Sequence, residues 1–164
     1  MAAPVVPAVE AGPAAAVAAA AGPVDPAGRG AAAPAMDRLD RRGLTDPIAR
    51  WLAADRPFLG ICLGLQLLFT ESEEFGIHRG LGILQGRVKK FPLGNGQAAK
   101  TASRLKVPHM GWNGVTVERA APPLKGINSG EHVYFVHSYY VEPQDKSVVA
   151  TMTDYGLPFV SSVW

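Results

Sequence analysis

The chain has 164 residues, enough for one ordinary domain with its own hydrophobic core. Its formal net charge of +2 is too small to indicate binding to nucleic acid or to a membrane surface. A single cysteine excludes an internal disulfide and favours a reducing, cytoplasmic setting. No Cys pair or His-x3-His cluster indicates a zinc site, and no run is apolar and long enough to predict a membrane span.

The first 33 residues differ in composition from the rest. They are almost entirely Ala, Pro, Gly and Val, with Glu10, Asp25 and Arg29 as the only charges. Such a segment buries little large apolar surface and its prolines interrupt helices, so we expect residues 1–33 to be a disordered low-complexity segment without a strand. Residues 34–164 then form the folded domain.

A helix followed by a strand is predicted upstream of the cysteine. Thr45-Asp46-Pro47 has the composition of a helix start, and Ile48, Trp51 and Leu52 follow at the spacing of one helical face. Pro57 disfavours helix at the residue before it and opens a short apolar run that predicts a strand. A helix that leads into a buried strand is typical of α/β folds.

The stretch after this strand predicts a second helix. Leu63 to Glu74 begins with closely spaced apolar residues and ends in acids, as a buried helix that emerges into water would. On this interpretation three carboxylates are solvated at the helix end, and carboxylate catalysis is the lesser alternative for them: Glu71, Glu73 and Glu74.

Cys62 lies between the predicted strand and helix, with Gly60 two residues before it and Gly64 two after. Gly-x-Cys-x-Gly is the cysteine counterpart of the Gly-x-Ser-x-Gly nucleophile elbow, in which a strained turn needs small neighbours. We expect the helix N-terminus at Leu63 to favour the thiolate. A lone cysteine among Ile and Leu is more often an inert core residue, but the paired glycines, the turn and Gln66 one helical turn later favour a nucleophile.

Two later segments carry aromatic and histidine residues. Lys106–Asn113 reads as a rigid loop that presents Met110 and Trp112, a combination favoured at interfaces, although a buried turn with a core tryptophan also fits. His132–Pro143 alternates as a strand, and a histidine inside it, His137, is more often a hydrogen-bonded structural residue than a base.

These motifs resemble a known family. Gly60-Ile-Cys-Leu-Gly-Leu-Gln66 resembles the nucleophile motif of class I (triad-type) glutamine amidotransferases, which implies an α/β, flavodoxin-like sheet with helices on both faces. Pro108-His-Met-Gly-Trp-Asn113 and Val136-His-Ser-Tyr-Tyr-Val141 are similar in particular to the glutaminase subunits of imidazole glycerol phosphate synthases. Both segments make a resemblance to other glutaminases, such as those that serve pyridoxal phosphate synthesis, the weaker alternative.

The resemblance implies a set of site residues. Cys62 matches the nucleophile, and the N–H of Leu63 matches one donor of the oxyanion hole. The matching substrate-binding positions are Gln66, Ser138 and Tyr139. Gly28 and Gly30 align with the loop that supplies a second oxyanion donor, although plain low complexity explains them equally well.

The resemblance also implies a heterodimer in histidine biosynthesis. Pro108, Met110 and Trp112 match the surface that docks on the synthase (cyclase) barrel, and ammonia released from glutamine would cross into that barrel. The family implies neither a metal nor an organic cofactor, and neither nucleic acid nor membrane as a partner.

The resemblance fails at both ends. The family takes its base from a histidine, followed by a glutamate, close to the C-terminus, whereas this sequence reads to Val163-Trp164 without such a segment. We therefore expect an α/β sheet that is incomplete at both ends and a chain that is poorly active or inactive. A truncated, non-catalytic module that docks on the synthase subunit is the alternative.

Overall fold

The computed structural model describes residues 15–17, 31–92 and 105–164. Three α-helices lie in these ranges: α1 (Ala32–Arg41), α2 (Thr45–Ala53) and α3 (Leu63–Gln66). The strands in the first half are β1 (Ala15–Val17), β2 (Phe58–Gly60), β3 (Phe69–Ser72), β4 (His78–Arg79) and β5 (Leu84–Lys90). The second half adds β6 (His109–Gly114), β7 (Thr116–Val117), β8 (His132–His137), β9 (Tyr139–Pro143), β10 (Val149–Asp154) and β11 (Pro158–Val163).

The described strands form one large mixed sheet and two short ladders. The seven-stranded sheet has the order β4-β3-β5-β9-β11-β10-β7, in which β3 and β5 are parallel and the other pairs antiparallel. Strands β1 and β2 pair in parallel, and β6 pairs with β8 in an antiparallel ladder. The α/β class expected from the sequence is confirmed.

The largest core cluster lies where β3, β5, β9 and β11 meet. Phe69 and Val88 are completely buried there, and Val141 and Val160 pack beside them. Strand β5 alternates between this core and the outside. Its outward-facing Arg87 and Lys89 form exposed ion pairs with carboxylates of neighbouring strands, which contribute little to stability compared with the buried face.

The helix expected from Leu63 to Glu74 is wrong beyond its first turn. α3 ends at Gln66, and the chain re-enters the sheet at Phe69 as strand β3, parallel to β5. Leu67, Leu68 and Phe69 are three consecutive buried residues. A helix that emerges into water would expose some of them, whereas a turn followed by a central strand buries all three.

The first part of the chain also differs from expectation. Ala15–Val17 forms a strand that pairs in parallel with Phe58–Gly60, so the expectation of no strand before residue 34 is wrong at these positions. Three small apolar residues carry little strand signal of their own, and the pairing with β2 defines them. Helix α1 already includes Ala32, while residues 1–14 and 18–30 lie outside the described ranges.

The predicted helix at Thr45 and strand at Phe58 are both confirmed as α2 and β2. The Thr45 hydroxyl donates a hydrogen bond to the Asp40 carboxylate and does not cap its own helix. Leu52 of α2 packs on the main core cluster. Within the described ranges, the helices are all too short or too polar to span a membrane.

The burial of Phe69 generates a stability prediction. Phe69→Ala removes a fully buried aromatic side chain at the centre of the main cluster. We expect it to lower the free energy of unfolding by about 3–5 kcal/mol, as measured by urea denaturation. Ile77→Ala, at a side chain that is 68% exposed, is the matched control and should change it by less than about 0.5 kcal/mol. Similar values for the two variants would contradict the assignment of Phe69 to the core.

Candidate active site

The backbone at Cys62 is strained in the manner of a nucleophile elbow. Between β2 and α3 this residue has φ 51° and ψ −109°, a conformation that residues with a side chain rarely adopt. The strain of such a conformation, about 1–3 kcal/mol, persists only where the surrounding structure imposes it. The turn places the thiol at the surface, at the C-terminal end of β2.

The two glycines of the motif make this turn sterically possible. A Cβ atom on Gly60 would lie 2.8 Å from both the carbonyl carbon and the carbonyl oxygen of Gly64, closer than such atoms can approach. β2 and the first turn of α3 are therefore in direct backbone contact. The Gly-x-Cys-x-Gly spacing is explained by this contact, since any larger residue at Gly60 would push the strand and the helix apart.

Cys62 opens into a cavity of about 290 Å³. Its lining includes Leu65, Gln66, Val136, Tyr139 and Phe159. The Gln66 side-chain amide donates to the carbonyl of Tyr139 over 3.1 Å, and the Cys62 Sγ lies 3.8 Å from the carbonyl of Val136. A thiol, an amide side chain and two strand carbonyls thus converge on a space large enough for a small polar molecule.

Burial raises the pKa of the Cys62 thiol above its usual range. A hydrogen bond from the N–H of Leu63 lowers this pKa, whereas the negative charge of Glu74 raises it further. The residue is exposed, but the apolar side chains around its sulfur keep part of the hydration shell away. The helix N-terminus therefore favours the thiolate as expected, through the N–H of Leu63, but burial outweighs it and the net pKa is raised. α3 has only four residues, too few for a substantial dipole.

Glu74 lies close to the nucleophile, although the sequence placed it at a solvated helix end. Its Oε2 accepts hydrogen bonds from the N–H groups of Ala31 (2.8 Å) and Ala32 (2.7 Å), where α1 begins. A carboxylate at a helix N-terminus satisfies free N–H groups and the helix dipole. Glu74 therefore anchors the beginning of α1 on the side of the fold that carries Cys62.

None of the four histidines is hydrogen-bonded to the thiol, and two of them have other partners. His137 hydrogen-bonds His109 (3.0 Å) and the carbonyl of Tyr139 (2.8 Å), so both of its ring nitrogens are engaged. The prediction that His137 is a structural histidine is confirmed. His132 begins β8 with an exposed side chain, and His78 lies in β4. Within the described residues, Cys62 has no hydrogen-bonded histidine, and no three His, Cys, Asp or Glu side chains cluster closely enough to hold a metal.

An apolar surface borders the cavity. The segment expected to be a loop at Lys106–Asn113 contains strand β6, and its tryptophan is exposed, which excludes the buried-turn alternative. Met110 pairs with Val136 and Trp112 with Tyr134 across the ladder. These four side chains, 55% to 65% exposed, form what we term the outer face of the β6–β8 ladder. Val136 belongs to this face and also lines the cavity.

Comparison with known proteins agrees with this geometry. The family described as glutamine amidotransferase class-I matches residues 22–157. The chain belongs to this family.

Individual relatives carry a more specific name. Three proteins named imidazole glycerol phosphate synthase subunit HisH match the chain. The one from Syntrophotalea carbinolica is 57% identical over 137 residues, 84% of this chain and 65% of the relative. That from Geobacter sulfurreducens is 44% identical (84% and 64%), and that from Aquifex aeolicus is 50% identical over 136 residues (83% and 61%). The chain thus spans less than two thirds of the length of these relatives.

The structure brings together part of the site that the amidotransferase resemblance implied. Cys62, Gln66 and Tyr139 line one cavity, and the N–H of Leu63 contacts the sulfur. Ser138 lies in the single-residue link between β8 and β9, and its carbonyl accepts the N–H of Phe91. Gly28 and Gly30 lie outside the described residues. The docking residues Met110 and Trp112 are exposed on one face, with exposed Pro108 just before the strand.

Sequence reasoning missed two features of this amidotransferase site. A helix from Leu63 would place Glu74 three turns away from the cysteine, whereas β3 returns it to the N-terminus of α1. The contact between the Val136 carbonyl and the thiol joins residues 74 positions apart, and no local pattern encodes it. A signal for β3 was present in the unbroken apolar run before Thr70.

The charge of Glu74 generates a prediction about thiol reactivity. Because the carboxylate raises the pKa of Cys62, Glu74→Gln should lower that pKa while keeping an oxygen that accepts from Ala31 and Ala32. We expect faster alkylation by iodoacetamide at neutral pH and a pH–rate profile displaced to lower pH. Glu73→Gln is the matched control and should leave the profile in place. An unchanged profile for Glu74→Gln would show that its charge does not reach the sulfur.

The buried His109 generates a prediction about pH and stability. Burial, together with the neighbouring His137, lowers the pKa of His109 from 6.5 to about 4. The unfolded chain therefore binds a proton that the folded chain does not, so the associated stability is fully present above about pH 6.5 and is lost as the pH falls towards 4. We expect a loss on the order of 3 kcal/mol over this window, measured by urea denaturation.

A pair of variants isolates this contribution. His109→Asn keeps a side-chain N–H but removes the titrating ring, and should flatten the pH dependence between pH 6.5 and 4. His132→Asn, at an exposed histidine, should retain the wild-type slope. If the two variants had equal slopes, another group would be responsible for the pH dependence.

Proposed function

We propose that this protein is the glutamine-hydrolysing subunit of an imidazole glycerol phosphate synthase, active in histidine biosynthesis in the cytoplasm. The observation that carries the proposal is the strained Cys62 elbow, open to a cavity that also contains Gln66 and the Tyr139 carbonyl. The name shared by the relatives from three bacteria supports it at 44% to 57% identity. In this proposal the ammonia released from glutamine passes to a partner synthase subunit.

The proposed chemistry is acyl transfer to sulfur. The Cys62 thiolate attacks the side-chain amide carbon of glutamine and forms a tetrahedral intermediate, which collapses when the C–N bond breaks and the nitrogen leaves as ammonia with an added proton. Water then attacks the glutamyl thioester, releasing glutamate and returning the thiol. The N–H of Leu63, next to the sulfur, is suited to stabilise the negative oxygen, with a second donor proposed from the loop that contains Gly28 and Gly30.

The cavity supports binding of glutamine in one orientation. The Gln66 amide and the Tyr139 carbonyl supply a donor and an acceptor at the cavity wall, and Ser138 directly precedes Tyr139 in the chain. We propose that these groups hold the amino-acid end of glutamine, so that its side-chain amide extends to Cys62. Positioning of this kind contributes much of the rate in covalent catalysis.

The outer face supports docking on the partner. Met110 and Trp112 are 60% and 65% exposed, and Tyr134 packs edge-on against the tryptophan ring at 5.7 Å. A contiguous patch of aromatic and aliphatic side chains of this kind is typical of interface centres. Because Val136 belongs both to this face and to the cavity, a synthase barrel seated here would lie beside the point where ammonia is released.

The proposal includes low turnover for the 164-residue polypeptide. Attack on the amide needs a base to accept the thiol proton and an acid to protonate the leaving nitrogen. Each of the four histidines lies in the described residues, and none is hydrogen-bonded to Cys62, whose pKa is raised. The absence of acid–base assistance typically lowers the rate by about 10²–10⁴-fold.

A labelling experiment tests the nucleophile. A chloroketone analogue of glutamine should alkylate Cys62 with saturation kinetics, because it binds in the cavity before it reacts, and free glutamine should protect. Cys62→Ser should abolish labelling, while Ser161→Ala, elsewhere on the cavity wall, should retain it. Mass spectrometry locates the modified residue. Labelling that glutamine does not slow would contradict glutamine as the substrate.

The second candidate function is a docking module without chemistry. The raised pKa of Cys62 and the engaged histidines favour it. It predicts partner binding with no glutamyl thioester formed on Cys62. Acid quenching of the complex with labelled glutamine decides the matter, because a covalent glutamyl adduct excludes the docking-only function.

The outer face generates a prediction about binding. Trp112→Ala removes the largest exposed side chain of the patch and should weaken binding to the synthase subunit at least about tenfold, or about 1.4 kcal/mol, measured by isothermal titration calorimetry. Ile77→Ala, at an exposed aliphatic residue beside β4, is the control and should bind as the wild type does. Equal affinities for the two variants would place the interface elsewhere.

A further inference from the structure

One buried and one half-buried histidine lie on the inner side of the β6–β8 ladder, behind the outer face. His109 of β6 is directly opposite His137 of β8 in the antiparallel ladder. His109 is only 2% exposed, whereas the residues that follow it at alternate positions, Met110 and Trp112, face outward. The side chains of β6 therefore divide into an outer apolar set and an inner polar set, as the alternation of a strand requires.

The inner residues form one hydrogen-bonded chain. The carbonyl of Tyr139 can only accept, so the Nδ1 of His137 must carry a proton and donate to it over 2.8 Å. The Nε2 of His137 then has to accept, and the Nδ1 of His109 donates to it over 3.0 Å. The remaining Nε2 of His109 accepts from the Asn113 amide at 3.4 Å, and the same amide donates to the carbonyl of Asp154 at 2.8 Å. One arrangement of protons satisfies every ring nitrogen.

Aromatic rings hold the two imidazoles in place. The His109 ring is stacked between Phe135 (centroids 4.7 Å apart) and Tyr155 (3.8 Å). Phe91 and Phe159 pack against His137, each at 5.2 Å. Burial lowers the pKa of both histidines, that of His109 to about 4, so the pair is neutral at pH 7 and the proton arrangement is maintained. Rings packed in this way cannot rotate independently of their strands.

The chain ends at the carbonyl that also holds Gln66. The Tyr139 carbonyl accepts from His137 and, over 3.1 Å, from the Gln66 side chain. The backbone N–H of Gln66 in turn donates to the carbonyl of Cys62 over 3.1 Å. An unbroken path of hydrogen bonds therefore runs from strand β6, behind the outer face, to the side chain that lines the cavity beside the nucleophile.

We propose that His109 and His137 are positioning residues. They fix the Tyr139 carbonyl, and through it the Gln66 side chain, relative to strand β6 behind the outer face. The proposal rests on the proposed function, in that Gln66 is taken to bind glutamine. A displacement of β6, such as docking on the outer face would impose, is then transmitted to the glutamine cavity through two rigid rings.

Three variants test the positioning role. His109→Phe preserves ring size and stacking but leaves the Nε2 of His137 as an unsatisfied acceptor, which removes the hydrogen bond that joins this ring to β6. His109→Asn is the conservative variant, because its amide N–H can replace the donating Nδ1. His132→Phe is the matched control at an exposed histidine of the same ladder. Each variant is first checked for a cooperative thermal transition.

The main readout separates positioning from general damage. In His109→Phe the concentration of the glutamine chloroketone that half-saturates labelling of Cys62 should rise about fivefold. The rate with iodoacetamide, which needs no binding site, should stay within about twofold of wild type. His109→Asn should recover most of the loss, and His132→Phe should match the wild type. An unchanged half-saturation, or an equal change with both reagents, would overturn the proposal.

Nuclear magnetic resonance tests the coupling between His109 and Gln66 without relying on the proposed function. In His109→Phe the side-chain amide resonances of Gln66 should shift without any ligand, whereas in His132→Phe they should not. If the chloroketone failed to select Cys62 in the wild type, the proposed function would fail while this shift would still decide the coupling. An unshifted Gln66 amide would overturn the coupling.

A measurement on the wild type covers the case in which His109→Phe does not fold. Alkylation of Cys62 by the chloroketone should shift the imidazole nitrogen resonances of His137 and His109, because the adduct displaces Gln66 and the shared carbonyl. Those of His78 and His132, which lie outside the path, should stay in place. Shifts confined to His137, or equal shifts at all four rings, would contradict transmission through the pair.

Discussion

The contact between the backbones of Gly60 and Gly64 is the constraint on which the site depends. It brings the end of β2 against the first turn of α3 and leaves no space for a side chain on Gly60. Where the chain passes from this strand to this helix, Cys62 has a positive φ of 51°. That conformation directs the thiol outward to the cavity and aims the N–H of Leu63 at the sulfur. The energy of the strain is offset by the burial of Leu63, Leu67 and Leu68 directly behind the turn.

The electrostatics of the site do not favour the charged nucleophile in this state. Burial and the Glu74 carboxylate both raise the pKa of Cys62, and the Leu63 N–H only partly compensates. Neutral histidines nearby add no positive charge, because burial lowers the pKa of His109 and His137. A thiol in this setting becomes reactive when a base or a bound substrate changes its surroundings. The backbone geometry that covalent catalysis needs is therefore present at Cys62, whereas the charges around its thiol do not yet activate it.

The β6–β8 ladder carries two sets of side chains that its alternation keeps apart. Its outer side chains are apolar and exposed, as a protein interface requires, while its inner histidines are linked to the carbonyl that holds Gln66. Because successive residues of a strand face opposite sides, β6 exposes apolar side chains on one side and places His109 on the other, where it is hydrogen-bonded to the cavity-lining His137. The fold thus brings partner surface and proposed glutamine site within one pair of strands.

Features that depend on local spacing or on one continuous motif could be predicted from the sequence. They are the motif around Cys62, the family, the α/β class, helix α2, strand β2 and the structural role of His137. Features that depend on which strands pair could not be predicted in this way. They are the early end of α3, strand β1 and the position of Glu74. Leu67 to Phe69 are apolar in either a helix or a strand, and only the parallel pairing with β5 makes Phe69 a strand residue. Likewise, Ala15–Val17 is a strand because β2 offers it free hydrogen-bonding groups. The sequence by itself determined the motif that makes Cys62 the candidate nucleophile, and the tertiary structure decided which carboxylate, carbonyls and histidines surround it.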